Sequence, residues 1–336
     1  MWNRQTEKKE LMMYRIDLKD RKILYELGLN CRQTNTQIGK KVGLKKDVVS
    51  YRIKKMQEEG IIKNFWTAIN TFKLGYKVFR IYITFQFVSI DKKNEIIQHF
   101  VNYKNAWAVI SVRGGGVDLV VILWVNNSYE FYRFWNKTLD LFENYFAKAT
   151  ISLYIQAIDY KKTYLLPNEL DKSDREHYRI TCDEKTVKID KIDHQLLNEL
   201  AINARAPLIE LAEKLDCSSQ TINYRIKNLI KNDIIKAFRV HLDYSKLGLQ
   251  HFKVDIYLKE HKKLQPIINH LKDKPYMQCL NMTIGWADLE PEFIVKSIEE
   301  LNQIIDDLNS KFPMVIGKYT YWVTEKIHKE RWLPEF

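Results

Sequence analysis

Val49-Ser50-Tyr51-Arg52-Ile53-Lys54-Lys55-Met56 returns as Ile222-Asn223-Tyr224-Arg225-Ile226-Lys227-Asn228-Leu229, 173 residues further along the chain. At the same offset Ile16-Asp17-Leu18-Lys19-Asp20 returns as Ile189-Asp190-Lys191-Ile192-Asp193, and Leu74-Gly75 as Leu247-Gly248. This period exceeds that of a solenoid module, about 20 to 50 residues, so each copy is a domain pair in its own right. A chain of 336 residues accommodates two such pairs, each able to bury a core.

In copy 1 the quoted stretch belongs to the third of three expected helices, at residues 20–29, 34–42 and 45–59. Val49, Ile53 and Met56 form one apolar stripe at helical spacing. Lys45, Lys46, Asp47, Ser50, Tyr51 and Lys54 then lie outward or at the N-terminal end, with Lys55 beside them. With Gly43 in the preceding turn, this is a helix-turn-helix arrangement. Its outward residues supply cations for phosphates and polar groups for base edges. The free backbone N–H groups at the helix start add a favourable dipole for phosphate. Gly60 closes the helix in the left-handed C′ position, and the β-branched and aromatic run 61–70 reads as the strands of a wing.

Copy 2 keeps the stripe as Ile222, Ile226 and Leu229 and changes the outer face to Ser218, Ser219, Gln220, Asn223, Tyr224 and Lys227. Ser218 is a good N-cap where copy 1 has Lys45, and Asp233 replaces Gly60. Residues 14–64 carry 13 Lys and Arg against 6 Asp and Glu, whereas residues 187–240 carry 9 against 7. Copy 1 is therefore expected to supply more of any salt-dependent affinity. Lysines along a helix usually mark only a solvated face; the repeated three-helix order, with strands following in register, is what selects DNA.

The formal net charge of +12 suits nucleic acid or another anionic partner. No run approaches the roughly 18 apolar residues of a membrane span, and the first ten residues lack the apolar core of a signal peptide, so a cytoplasmic location is expected. Cys31, Cys182, Cys217 and Cys279 are scattered without metal or redox spacing; reduced thiols, no metal and no cofactor are the expectation.

Taken together, these residues resemble the Lrp/AsnC (leucine-responsive, feast/famine) transcription regulators. The matching positions are Ile16, Asp17, Asp20, Val49, Arg52, Ile53, Glu59 to Ile62, Leu74 and Gly75, and in copy 2 Ile189, Asp190, Asp193, Ile222, Arg225, Ile226, Ile234, Ile235, Leu247 and Gly248. The resemblance implies an α+β chain in which two winged helix-turn-helix domains (14–72 and 187–245) alternate with two ferredoxin-like βαββαβ sensor domains (76–162 and 249–328). Tails fall at 1–13 and 329–336, and the connector 163–186 is expected to hold short helical order; with Lys161 and Lys162 before it, residues 161–186 balance six basic against six acidic residues. It leaves Arg52 and Arg225 either on phosphate or in an internal ion pair.

The hairpin residues Gly114, Gly115, Gly116 and Asp118, answered by Gly285, Trp286 and Asp288, correspond to the turn that borders the family's effector pocket. Pro291 falls inside the next strand, as an edge or bulge would allow. Trp107, Trp124, Phe131, Tyr132, Phe134 and Trp135 read first as core and sheet interface, then as a surface for a stacked ligand. The function expected is a sequence-specific DNA-binding transcription regulator rather than an enzyme. One chain would act as a pseudo-dimer with two unequal reading heads, able to assemble into a higher homo-oligomer, with an amino acid or related molecule as effector. The alternatives are a sirohaem-decarboxylase-like enzyme, for which His99 and His270 sit at comparable helix positions, and an architectural protein without sequence preference.

Overall fold

Each copy begins with three helices and a strand, and a carboxylate fixes where the first helix starts. In the computed structural model, which describes residues 15–167 and 175–335, α1 (Leu18–Leu29) opens with a capping box: the Asp17 carboxylate accepts from the Asp20 backbone N–H at 2.8 Å and Asp20 returns the bond at 3.2 Å. α2 (Asn35–Val42) ends at Gly43, α3 (Lys46–Glu58) follows, and β1 (Ile62–Ile69) leaves the head. The proposed tail 1–13 lies outside the described residues.

The first sensor module comprises β2 (Lys77–Phe85), α4 (Ile90–Asn102), β3 (Ala106–Gly114), β4 (Leu119–Val125), α5 (Ser128–Phe142) and β5 (Phe146–Tyr160). The connector contains β6 (Glu176–Thr181), which pairs with β5; the described part of it continues the sheet instead of forming a helix. Copy 2 follows as α6 (Lys191–Ile202), α7 (Leu208–Lys214), α8 (Ser219–Lys231) and β7 (Ile235–Leu242). It closes with β8 (Gln250–Leu258), α9 (Leu264–Leu271), β9 (Met277–Ile284), β10 (Glu290–Val295), α10 (Ile298–Lys311) and β11 (Ile316–Glu330).

The expected wing is a single strand in each copy. With one eight-residue strand available and no hairpin turn, β1 finds its partner in the other copy, pairing antiparallel with β7. In this register Trp66 faces Arg239, which is its own equivalent at the 173-residue offset, so the pseudo-twofold axis passes through that pair. Reciprocal bonds confirm the symmetry: Arg32 donates to the Ala204 carbonyl at 2.7 Å, and Arg205 to the Cys31 carbonyl at 2.7 Å. The two heads share one apolar core, in which Ile23, Leu24 and Leu27 join Leu196, Leu197 and Leu200.

The sensor strands run β2-β4-β3-β11-β8-β10-β9-β5, and β5 returns to β2. Leu153 of β5 pairs with both Phe79 and Ile284, and Trp322 of β11 with both Gly114 and Lys253. One residue can pair twice only through its two opposite edges, so these eight strands close into a ring. Alternation divides each strand: in β4, Val121, Leu123 and Val125 pack beneath the outer helices, and Val120, Ile122 and Trp124 face inward.

One further expectation is narrowed and one corrected. β10 is an interior strand between β8 and β9, so Pro291 sits beside an irregularity and not at an edge: the pairing with β8 lapses between Leu289 and Glu292, where its missing N–H falls, and the register with β9 shifts between Glu292 and Phe293. The segment from 329 is no tail: β11 runs to Glu330, Leu333 is buried, and Trp332 stacks on Trp66 at 3.7 Å.

Candidate nucleic-acid interface

α3 and α8 hold their registers through the predicted stripes, since Val49, Ile53, Met56, Ile222, Ile226 and Leu229 are all buried. The remaining faces are open. Lys45, Lys46, Ser50, Tyr51 and Lys54 are exposed on one head, as are Ser218, Gln220, Asn223, Tyr224 and Lys227 on the other, while Lys55 and Ser219 are half-buried. Tyr51 and Tyr224 are 63% and 69% exposed, aromatic rings displayed at equivalent places with no core to fill. Ser218 caps α8 by accepting from the Thr221 N–H at 3.0 Å, whereas Lys45 makes no side-chain cap.

Arg52 and Arg225 face inward along these helices. Arg52 Nη1 lies 2.8 Å from both Asp17 and Asp20, and Arg225 repeats the contact with Asp190 and Asp193 at 2.8 Å. The hydrogen bonds that Arg52 donates to Asp20 and Asp17 hold its guanidinium charged well beyond its ordinary range; the bond to Asp193 acts first on Arg225. Asp20 is 1% exposed, so each arginine balances a carboxylate that helped start the first helix and locks the recognition helix to it.

The hairpin residues are arranged for structure as well. Asp118 accepts from the Phe85 N–H and Asp288 from the Leu258 N–H, both at 2.8 Å, tying each turn to the end of the neighbouring strand. Gly114 and Gly285 pass so close to the other module that a Cβ would lie 2.6 Å from the carbonyl oxygens of Tyr321 and Ile151 respectively. Gly115 approaches Trp322, Gly116 borders open space, and Trp286 stacks on Tyr82 at 4.1 Å. His99 and His270 bridge outer helices, to Thr138 at 2.9 Å and Asp307 at 2.7 Å.

A second feature escaped the linear reading. The ring encloses a cavity of about 320 Å³, closed at one end by β1 and β7. Neither sensor segment shows a dense cationic cluster by itself, but the fold gathers Arg80, Lys162, Arg239, His241, His251 and Lys253 from four separate stretches onto its wall. Comparison across the pseudo-twofold axis would have revealed it. Trp66 answers Arg239, Trp107 answers Gln278 and Ile110 answers Asn281; Ile122 answers Glu292, and Trp332 answers Lys162. In each of these pairs one member is apolar and the other polar, whereas Arg80 and its equivalent Lys253 are cationic in both copies.

The charged half is tightly paired. Arg80 lies 2.7 Å and Lys253 2.5 Å from Glu290, Lys253 also contacts Asp255 at 2.9 Å, and Arg239 contacts Asp159 at 2.7 Å. Against the opposing effect of burial, the hydrogen bond and charge of His251 hold Glu292 down at about 2. Burial pushes His241 down to about 4 and His177, against Arg239, to about 3. Among the described residues no group of side chains could hold a metal ion, and no helix is long and apolar enough to cross a membrane.

Comparison with known proteins agrees with both heads. Residues 16–63 match a family described as winged helix-turn-helix DNA-binding, and residues 189–230 match the AsnC-type helix-turn-helix domain. The transcriptional regulator LrpA of Bacillus subtilis is 32% identical over 138 residues, 39% of this chain and 99% of that protein. The proline dehydrogenase transcriptional activator of Rhodobacter capsulatus is 35% identical, over 41% of this chain and 92% of that one. Each spans about one copy. In overall fold the chain is similar to the siroheme decarboxylase NirDL, with a TM-score of 0.63 over 95% of this chain and 94% of that one, at 11% identity.

Proposed function

The chain belongs to the Lrp/AsnC family of transcription regulators, and on that premise we propose that it is a sequence-specific DNA-binding regulator, working in the cytoplasm as an internal pseudo-dimer. The observation that carries the reading is the pair of exposed recognition helices, held in fixed relation by the β1–β7 strand pair and one shared core. Family dimers present two equal heads; here the heads differ in charge and in side chains, so the site they address has two unequal halves about one or more helical turns apart. Lys45, Lys46, Ser50, Tyr51, Lys54 and Lys55 would serve one half, and Ser218, Ser219, Gln220, Asn223, Tyr224 and Lys227 the other. Arg52 and Arg225 act through helix placement.

An amino-acid effector at the Gly114–Asp118 and Gly285–Asp288 turns, and assembly of chains into a higher homo-oligomer, belong to the same proposal. Gly116, beside open space, is the position most available to such a ligand. Selection of bound fragments from a random duplex pool at about 150 mM salt, where non-specific binding is weakened, is expected to enrich a two-part motif. Retention without enrichment would leave an architectural DNA binder.

The likeness to NirDL favours an enzymatic reading at the level of fold alone. The two histidines that fit such chemistry by sequence position face the outer helices, away from the cavity, where His241 and His251 stand instead; the exposed recognition helices are what favour the regulator. Anaerobic incubation with sirohaem is expected to release no carbon dioxide; release would replace this reading with the enzyme.

A further inference from the structure

The cavity has an unanswered set of donors. Trp124, Trp322, Arg80 and Arg239 line it and are at most 6% exposed, yet the indole N–H of each tryptophan and the Nε–H of each arginine find no acceptor among the described residues. Buried donors are normally satisfied, and an orphan costs about 1–3 kcal/mol. Lys162, 4% exposed, donates to the neutral amide oxygen of Gln278 at 3.2 Å. No carboxylate of the described residues lies within ion-pair distance of its ammonium, unlike Arg80, Arg239 and Lys253 on the same wall. Burial, then the charge of Arg239, pushes Lys162 down to about 7. Among the described residues Lys162 otherwise faces only the rings of Tyr164 and Tyr244, at 5.8 and 6.0 Å. The one buried acceptor oxygen left without a hydrogen bond among the described lining side chains, Asp159 Oδ1, is already within ion-pair distance of Arg239. The missing partner is an acceptor, and an anionic one.

The opposite half supplies a flat apolar surface. Trp107 and Trp124 lie parallel with centroids 5.4 Å apart, Trp332 stands edge-on to Trp107 at 6.3 Å, and Trp66 stacks on Trp332. Such a platform takes the face of an aromatic ring. A volume of about 320 Å³ gives room for roughly ten water-sized groups at about 30 Å³ each, near the lower end of small-molecule sites and suited to one or two rings.

We propose that this cavity binds a small aromatic carboxylic acid, its ring against the platform of Trp66, Trp107, Trp124 and Trp332 and its carboxylate beside Lys162 and Arg239 across the axis. The asymmetry of the wall sets the orientation of the ligand, which an exact homodimer with two equal halves would leave undefined. Binding brings an anion to a lysine held short of full charge, so it takes up protons near neutral pH. Because Trp66 and Arg239 belong to the strand pair that joins the heads, the occupant also sets how the heads sit relative to one another. That last consequence alone rests on the DNA-binding reading.

The test uses the full chain without DNA, so its failure leaves the DNA reading untouched. Phenylacetate and 4-hydroxybenzoate are titrated by calorimetry at pH 7 in two buffers of different ionisation enthalpy, with phenylacetamide and acetate alongside. Saturable binding of the aromatic acids below about 1 mM, at least about tenfold tighter than the amide or acetate and with proton uptake, is expected. Lys162→Met should weaken the acids by about tenfold or more and leave the amide unchanged, its fold checked by circular dichroism. Should that variant not fold, Trp107→Leu must weaken acid and amide together. Absence of saturable binding by either aromatic acid, equal affinity for acid and amide, or an unchanged affinity in the variants would each overturn the proposal.

Discussion

The two copies share a backbone plan and differ in what they present. Where a residue fixes the fold, they agree: Asp17, Asp20 and Arg52 form the same ion-paired cluster as Asp190, Asp193 and Arg225, and Asp118 and Asp288 accept the same strand-end N–H. On the exposed faces of α3 and α8 and on the cavity wall most positions differ. Head 1 carries the larger cation excess, and the cavity wall is apolar on one side and polar on the other. One chain therefore does with two unlike halves what a homodimer must do with two identical ones.

The largest effect is expected at the symmetry axis. Arg239→Leu leaves the buried Asp159 carboxylate without its guanidinium, with the Gln278 amide at 3.3 Å and the His177 ring at 3.8 Å as its remaining contacts, and should cost about 3–5 kcal/mol in chemical denaturation. Its counterpart Trp66→Leu removes a stack with Trp332 but strands no charge, for a loss of no more than about 2 kcal/mol. Equal losses at the two positions would remove the distinction between the halves.

On the heads, the combined change Lys45→Ala, Lys46→Ala and Lys54→Ala should lower the slope of log affinity against log salt by about 2.7, or about a hundredfold in affinity at 150 mM, at roughly 0.9 per phosphate contact. Lys227→Ala on head 2 should lower it by about 0.9. Electrophoretic or anisotropy titrations at several salt concentrations measure both slopes. A head-2 effect as large as that of head 1 would mean that charge does not mark the stronger half.

Stability against pH probes the polar half. Burial first, and then neighbouring cations, depress the folded pKa of His177 to about 3 and of His241 to about 4, against 6.5 for an exposed histidine. Between those values the unfolded chain binds more protons, so their contribution is complete above about pH 6.5 and is lost as pH falls towards 4. Moving from pH 6.5 to 5 should cost about 3 kcal/mol for the two histidines together, read as a lower Tm. His177→Gln with His241→Gln should flatten that slope, whereas changes in the apolar half should not.

The local grammar of the heads was legible because it is written in short spacing: caps three residues apart, stripes at i and i+4, a closing glycine. The strand order of the sensor modules came with the family resemblance; β6 in the connector and the C-terminal extent of β11 did not, because their reasons for being strands lie in partners elsewhere. The wing was misread for the same cause, since nothing within residues 61–70 says that their partner is residues 235–242. The cavity was least visible. Trp66 and Arg239 look unrelated along the chain and become opposite walls only once the copies are superposed about the axis that their own pairing creates.

The smallest effect separates fold from presentation at a single backbone position. α3 and α8 are both followed by a left-handed residue, Gly60 at φ 67° and Asp233 at φ 60°. Glycine holds that conformation without cost, and aspartate tolerates it with some strain. Gly60→Asp should therefore destabilise by about 1 kcal/mol, the more so because a Cβ there would lie 2.8 Å from Lys246 Nζ, which must shift. Asp233→Gly removes the same strain but also the carboxylate that Lys236 contacts at 2.6 Å, an ion pair worth under about 1 kcal/mol. The two terms nearly cancel, so a net change within about 0.5 kcal/mol is expected in urea unfolding. A gain near 1 kcal/mol at Asp233 would show that copy 2 tolerates strain there without return, whereas a loss would show that the Lys236 contact, a feature copy 1 lacks, is what keeps the aspartate in place.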